Sequence, residues 1–88
     1  MPWTIRLSPE AEKQLSRLPR DVQQQIGNVI DRMGNDPFEG NVKPLHGKQW
    51  KGRFRKRVGR YRLIFLPHHS DRVIEISQIL IRSEKTYR

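Results

Sequence analysis

The feature that most constrains this chain is the stretch KGRFRKRVGRYRLIF, residues 51–65, which alternates about a single glycine. Phe54 and Val58 sit among Arg53, Arg55 and Arg57. Beyond Gly59, Tyr61, Leu63 and Phe65 sit between Arg60, Arg62 and Ile64. Alternation at period two is the pattern of a strand that buries one face and shows the other. Gly59 between the two runs reads as a hairpin turn. The stretch therefore predicts two paired strands carrying a row of cations on a solvent face. Seven of the twelve residues from Lys51 to Arg62 are Lys or Arg, and no acid falls anywhere from Gly40 to Ser70. The basic charge is thus local, and the natural partner of such a row is a polyanion, nucleic acid first among them.

The rest of the chain supplies what covers the other face. Trp3, Ile5 and Leu7 alternate with Thr4 and Arg6 as a short half-buried strand. Ser8-Pro9-Glu10 reads as a helix start: a capping hydroxyl, a proline suited to the first turn, and an acid at the positive end of the dipole. Ala11, Leu15 and Leu18 then mark one helical face, and Pro19 ends it. A second helix is expected from about Arg20 to Met33, with Val22, Ile26, Val29, Ile30 and Met33 on one side. Gln23 to Gln25 read as solvated surface. Residues 38–48 lack periodicity and read as an ordered loop, Trp50 to Val58 and Tyr61 to Leu66 as strands, residues 67–71 as a turn, and Arg72 to Leu80 as a last strand. Its alternation breaks at Gln78 to Leu80, leaving its faces unassigned. The order is β-α-α-β-β-β. This is an α+β fold in which an antiparallel helix hairpin packs on one face of a mainly antiparallel four-stranded sheet.

At 88 residues the chain is expected to be a single domain, 1–88, with a thin core. It has no cysteine, which excludes a disulfide framework and a thiolate zinc site. No apolar run reaches signal-peptide or membrane-span length, so no membrane partner and a cytoplasmic location are expected. The net charge of +9 favours association with phosphate.

A row of Arg and Lys binds phosphate without doing chemistry, and a binding surface is the commoner use of such a face. The tail, IRSEKTYR, follows directly on a buried strand. If Arg82 and Tyr87 fold back beside the basic face, the set suits metal-free RNA cleavage; the bland alternative is a frayed terminus. In that cleavage the ribose 2′-OH attacks the adjacent phosphate. Arginine supplies charge in a planar fork but is too basic to accept a proton. A tyrosine among cations is a plausible base. DNA lacks the 2′-OH, so the reaction is RNA-specific. His46 stands alone in a loop and His68 and His69 are sequence neighbours in a turn, which makes neither an acid–base pair nor a metal site. Trp50 can stack on a base, although a tryptophan opening a strand more often packs in the core.

The order of elements, the LSPEAEKQLSRLP opening, the KPLHG loop, the RVGRYRLIF strand pair and the terminal R-x-x-x-x-Y-R resemble the RelE/ParE superfamily of bacterial and archaeal toxins over nearly the whole chain. The RelE branch implies a type II toxin–antitoxin system toxin acting as a ribosome-dependent mRNA endonuclease that cuts the codon in the A site, without metal or cofactor. The implied partners are the ribosome, mRNA and a cognate antitoxin with an acidic segment. Carried over by motif, the resemblance assigns catalysis to Arg55, Arg57, Arg62, Arg82 and Tyr87. Tyr87 would be the base, Arg82 the leaving-group partner, and the other three would stabilise the phosphorane. Lys43, Lys48, Lys51, Arg53, Lys56 and Arg60 are the expected RNA- or ribosome-binding residues. Arg55 and Arg57 stand where the best-known members have Lys, and Ile81 where many relatives have His or Lys. The competing readings are a ParE-like poison of DNA gyrase without nuclease activity and a non-catalytic RNA-binding module.

Overall fold

The computed structural model describes residues 2–81. Strand β1, Thr4–Leu7, leads into helices α1, Pro9–Ser16, and α2, Arg20–Met33. Four strands follow: β2, Val42–Pro44; β3, Phe54–Val58; β4, Tyr61–His68; and β5, Val73–Ile81. They form one sheet in the order β1-β5-β4-β3-β2. β1 runs parallel to β5, and every other neighbouring pair is antiparallel.

The helices form for the reasons their ends suggest. The Ser8 hydroxyl accepts from Ala11 N at 3.1 Å, closing the start of α1, with Pro9 in the first turn. The same hydroxyl donates to Ser77 O at 2.8 Å, so one side chain caps α1 and fastens it to β5. Gln14 Oε1 makes a second tie, accepting from Ile79 N at 2.6 Å. Three residues, 17–19, link α1 to α2. Gln23 is not merely solvated surface: its amide donates to Ser16 O and Leu18 O, satisfying carbonyls that the end of α1 leaves open. Gln24 and Gln25 are exposed, as expected.

Both helices pack on the same face of the sheet. Ala11 of α1 and Ile26 and Met33 of α2 are completely buried against Leu63, Phe65, Ile74 and Ile76. Each such aliphatic or aromatic side chain contributes about 1.5–3 kcal/mol by leaving water, and these few carry most of a thin core.

Three details depart from the sequence reading. The sheet has five strands, because Val42–Pro44, expected within a loop, pairs antiparallel with Phe54 to Lys56 of β3. Three residues, one of them a proline, are too few to show a period. Trp50 does not open a strand: Lys48–Trp50 is a 3₁₀ turn, and the backbone at Gly52 has φ +78°, which no strand accommodates. β4 also runs on through Pro67 and His68, which pair with Ile74 and Val73. Pro67 lies beyond the last β3 partner of β4, so on that side there is no ladder for its missing N–H to break. Among the described residues no helix is long and apolar enough to cross a membrane.

Candidate functional site: the open arginine face

Strand register decides which cations meet. The helix-facing set runs through Phe54, Val58, Tyr61, Leu63 and Phe65. The alternate residues, on the open face, include Arg55, Arg57 and Arg62. Arg57 lies directly opposite Arg62 across the β3–β4 pair, and Arg55 opposite Ile64. On the other side of β3, Lys43 of β2 lies opposite Arg55. Four cations from three adjacent strands thus share one patch. The hairpin that sets this register turns at Gly59-Arg60, with Val58 paired to Tyr61. Gly59 has φ +58° while Arg60 keeps a negative φ, the arrangement that calls for glycine first in a two-residue turn.

The floor beneath the patch is apolar. Ile64 is only 3 % exposed although it lies on the face away from the helices, and Leu66 and Leu80 beside it are half-buried. Charges above such a floor interact more strongly than charges surrounded by water. Arg55 is half-buried, and its Nη1 has no hydrogen-bond partner among the described residues. A buried guanidinium N–H without a partner is costly, and an anion relieves the cost.

The remaining expected site residues scatter. Arg53 immediately precedes β3 and donates from Nη1 to Ser77 Oγ at 3.4 Å. Lys48 and Lys51 are exposed in the 3₁₀ turn and the bend after it, ahead of β3. Arg60 is exposed at the hairpin tip, at the far end of β3. A five-residue strand separates these ends by roughly 13 Å, so the three frame the patch without converging on it. Lys56 does not belong to it. It pairs with Val42 and Leu63 on the helix side, where its ammonium donates to Glu39 O. Desolvation lowers its pKa from the ordinary lysine value, Glu39 and Asp36 pull the other way, and Arg32 reinforces the lowering. Its neighbours in an unbroken basic run hid that opposite orientation. Arg82 and Tyr87 lie outside the described residues.

The histidines have other occupations. His68 ends β4 and lies 3.4 Å from Glu75 Oε1. His69 packs between Trp3 and Phe38, with ring centroids 5.6 and 6.2 Å away. His46 is exposed.

Sequence reasoning missed the bulge that shapes the edge of the patch. Partners jump from Ile64–Gln78 to Phe65–Ile76, so Ser77 is an extra residue in β5. This resolves the broken alternation: Ile74 and Ile76 face the helices before the bulge, and Ile79 resumes after it. The break at Gln78 was the visible signal.

A family model described as the ParE toxin of the type II toxin–antitoxin system, parDE, matches residues 5–86. The chain belongs to this toxin family. Solved RelE toxin structures share its fold. The RelBE2 toxin–antitoxin complex of Mycobacterium tuberculosis superposes with a TM-score of 0.83 at 24 % identity, covering 93 % of this chain and 100 % of the other. The archaeal RelE–RelB complex of Pyrococcus horikoshii gives 0.82 at 24 % identity, over 96 % and 99 % of the two chains. The isolated RelE toxin of E. coli gives 0.77 at 15 % identity, over 93 % and 86 %. No curated protein sequence matches the toxin.

Proposed function

We propose that this toxin is a ribosome-dependent, metal-free mRNA endonuclease that cuts codons in the A site and so arrests translation. The observation that carries the reading is the cluster of Arg55, Arg57 and Arg62 with Lys43 on one open face. A surface whose task was stability would not set Arg57 against Arg62, because like charges directly opposite are destabilising. A surface that stabilises a phosphorane would, since charge positioned in advance where negative charge develops is usually the largest catalytic term.

In this mechanism Tyr87 accepts the 2′-hydroxyl proton and Arg82 assists departure of the 5′-oxygen, both roles resting on the resemblance. Arg55, Arg57 and Arg62 hold the scissile phosphate and its developing charge. The ribosome orients the RNA strand, so free protein cuts naked RNA poorly. The partner that restrains the toxin is an antitoxin with an acidic segment, in keeping with the RelB complexes of the similar structures.

The second reading, poisoning of DNA gyrase without cleavage of RNA, is favoured by the match to the ParE model. One pair of assays separates the two. Purified toxin added to a reconstituted translation reaction should fragment the mRNA, and gyrase supercoiling should proceed unchanged at the same concentration. Intact mRNA with blocked supercoiling reverses the assignment.

A further inference from the structure

Beside the arginine row lies a cavity of about 340 Å³ lined by Glu10, Gln49, Trp50, Arg53, Ser77 and Gln78. We propose that it is a nucleobase subsite, taking a purine of the strand whose phosphate rests on the arginines. The proposal rests on the RNA reading above and deepens it.

Placement is the first argument. Gln78 is paired to Ile64, which is paired to Arg55, so cavity and patch lie on one cross-strand row. Two strand spacings separate Gln78 from Arg55, about 10 Å, within the span of a nucleotide bound at both ends. Arg53 lies two residues before Arg55 in the chain and lines the cavity.

The second argument is the wall. Among the described residues Trp50 is half-buried yet stands apart from the hydrophobic core, so core packing within them does not account for it. Its position is fixed in advance. Gly47, at φ +105°, turns the chain into the 3₁₀ turn. Trp50 N then donates to Gly47 O at 3.1 Å, and Arg53 N to Trp50 O at 2.9 Å. A main chain held this way fixes where the indole leaves the backbone, which limits the freedom the ring loses when a base stacks on it.

The rim supplies the third. The Gln49 and Gln78 amides each donate and accept, Arg53 donates, and Glu10 accepts. A purine edge presents donors and acceptors side by side, and its two rings give the larger stacking area. The β5 bulge builds this rim. Ser77 Oγ accepts from Arg53 and donates to Ile64 O at 3.2 Å, holding the guanidinium at the cavity mouth.

The test uses the full chain with Trp3→Phe, which leaves Trp50 as its one tryptophan. The probes are three 2′-O-methyl oligonucleotides of equal length, which cannot be cleaved by 2′-OH attack: one carrying a purine among uridines, one all-uridine, and one with an abasic residue at the purine position. The purine probe should quench Trp50 fluorescence and bind more tightly than the other two. Trp50→Ala should weaken the purine probe by about 5–100-fold, the range alanine substitution gives for a stacked base. Binding of the abasic probe should stay unchanged. Trp50→Phe should retain most of the purine preference, and Gln78→Ala should reduce it without altering the Trp50 ring. Equal binding of purine and abasic probes overturns the subsite while leaving the phosphate-binding face standing, and equal binding of the purine and all-uridine probes overturns the purine assignment. Failure of all three probes to bind overturns the face and the subsite together. Since no probe can be cut, the result is independent of whether the toxin is a nuclease.

Discussion

Arg57 and Arg62 face each other across a hairpin on the open face of the sheet, and that pairing separates function from stability. Arg57→Gln removes one of two opposed like charges, so thermal unfolding should stay within about 2 °C of wild type or move up. Cleavage of translated mRNA should fall about 10²–10³-fold, the usual loss for one electrostatic donor. A drop of several degrees would mean that Arg57 is structural. Lys56 makes the opposite case. It sits on the helix side, so Lys56→Met should leave cleavage unchanged. Its lowered pKa means that the folded state binds its proton less readily than the unfolded chain does. The resulting cost is fully present below the lowered pKa and fades as the pH rises towards the ordinary lysine value. Lys56→Met should therefore match or exceed wild-type stability at pH 7, with the difference shrinking as the pH rises towards the ordinary lysine value; stability measured across that range checks the sign. Period-two alternation correctly sent Arg55 and Arg57 to the open face. The same rule sends Lys56, between them, to the other side, but charge density outweighed it in the sequence reading.

Among the elements, α1 and β5 are fastened through a single hydroxyl. Ser8→Ala loses the cap on α1 and the bond to Ser77 O together, a cost of about 1–2 kcal/mol. For a chain of this size that lowers the unfolding midpoint by about 5–15 °C, and circular dichroism measures it directly. An unshifted midpoint would show that the cap and the tie are dispensable. Helix boundaries were legible because their chemistry is local: Ser8-Pro9-Glu10 at one end and the residues from Gly34 to Pro37 at the other. The β3–β4 hairpin was legible for the same reason. β2 and the bulge at Ser77 were not, because each is set by a partner far along the chain. Val42 is a strand residue only because Lys56 lies beside it, and Ser77 is an extra residue only by count against β4. The 3₁₀ turn at Trp50 lies between these cases. Gly47 and Gly52 were visible, but only their positive φ values show that they bracket a turn rather than a strand.

For the whole molecule, charge and fold divide the labour between two faces. Helices and core occupy one side of the sheet, while the other holds Lys43, Arg55, Arg57 and Arg62 above Ile64. Four phosphate contacts on single-stranded RNA predict a slope of about −3 in log affinity against log salt. Lys43→Ala should flatten that slope by somewhat less than one unit; an unchanged slope would remove Lys43 from the interface. The fold class followed from pattern alone, because alternating strands and one-sided helices have few ways to bury their apolar faces. The site followed only in part. The strands that bring its cations together are periodic, whereas Arg82 and Tyr87 belong to it by resemblance and lie beyond the described residues. The most direct test is therefore primer extension on an mRNA in a reconstituted translation reaction, comparing wild type with Tyr87→Phe and Arg62→Ala. The account predicts cuts inside the A-site codon with wild type and their loss in both variants. An uncut message with wild type, or cuts undiminished in the variants, would contradict it.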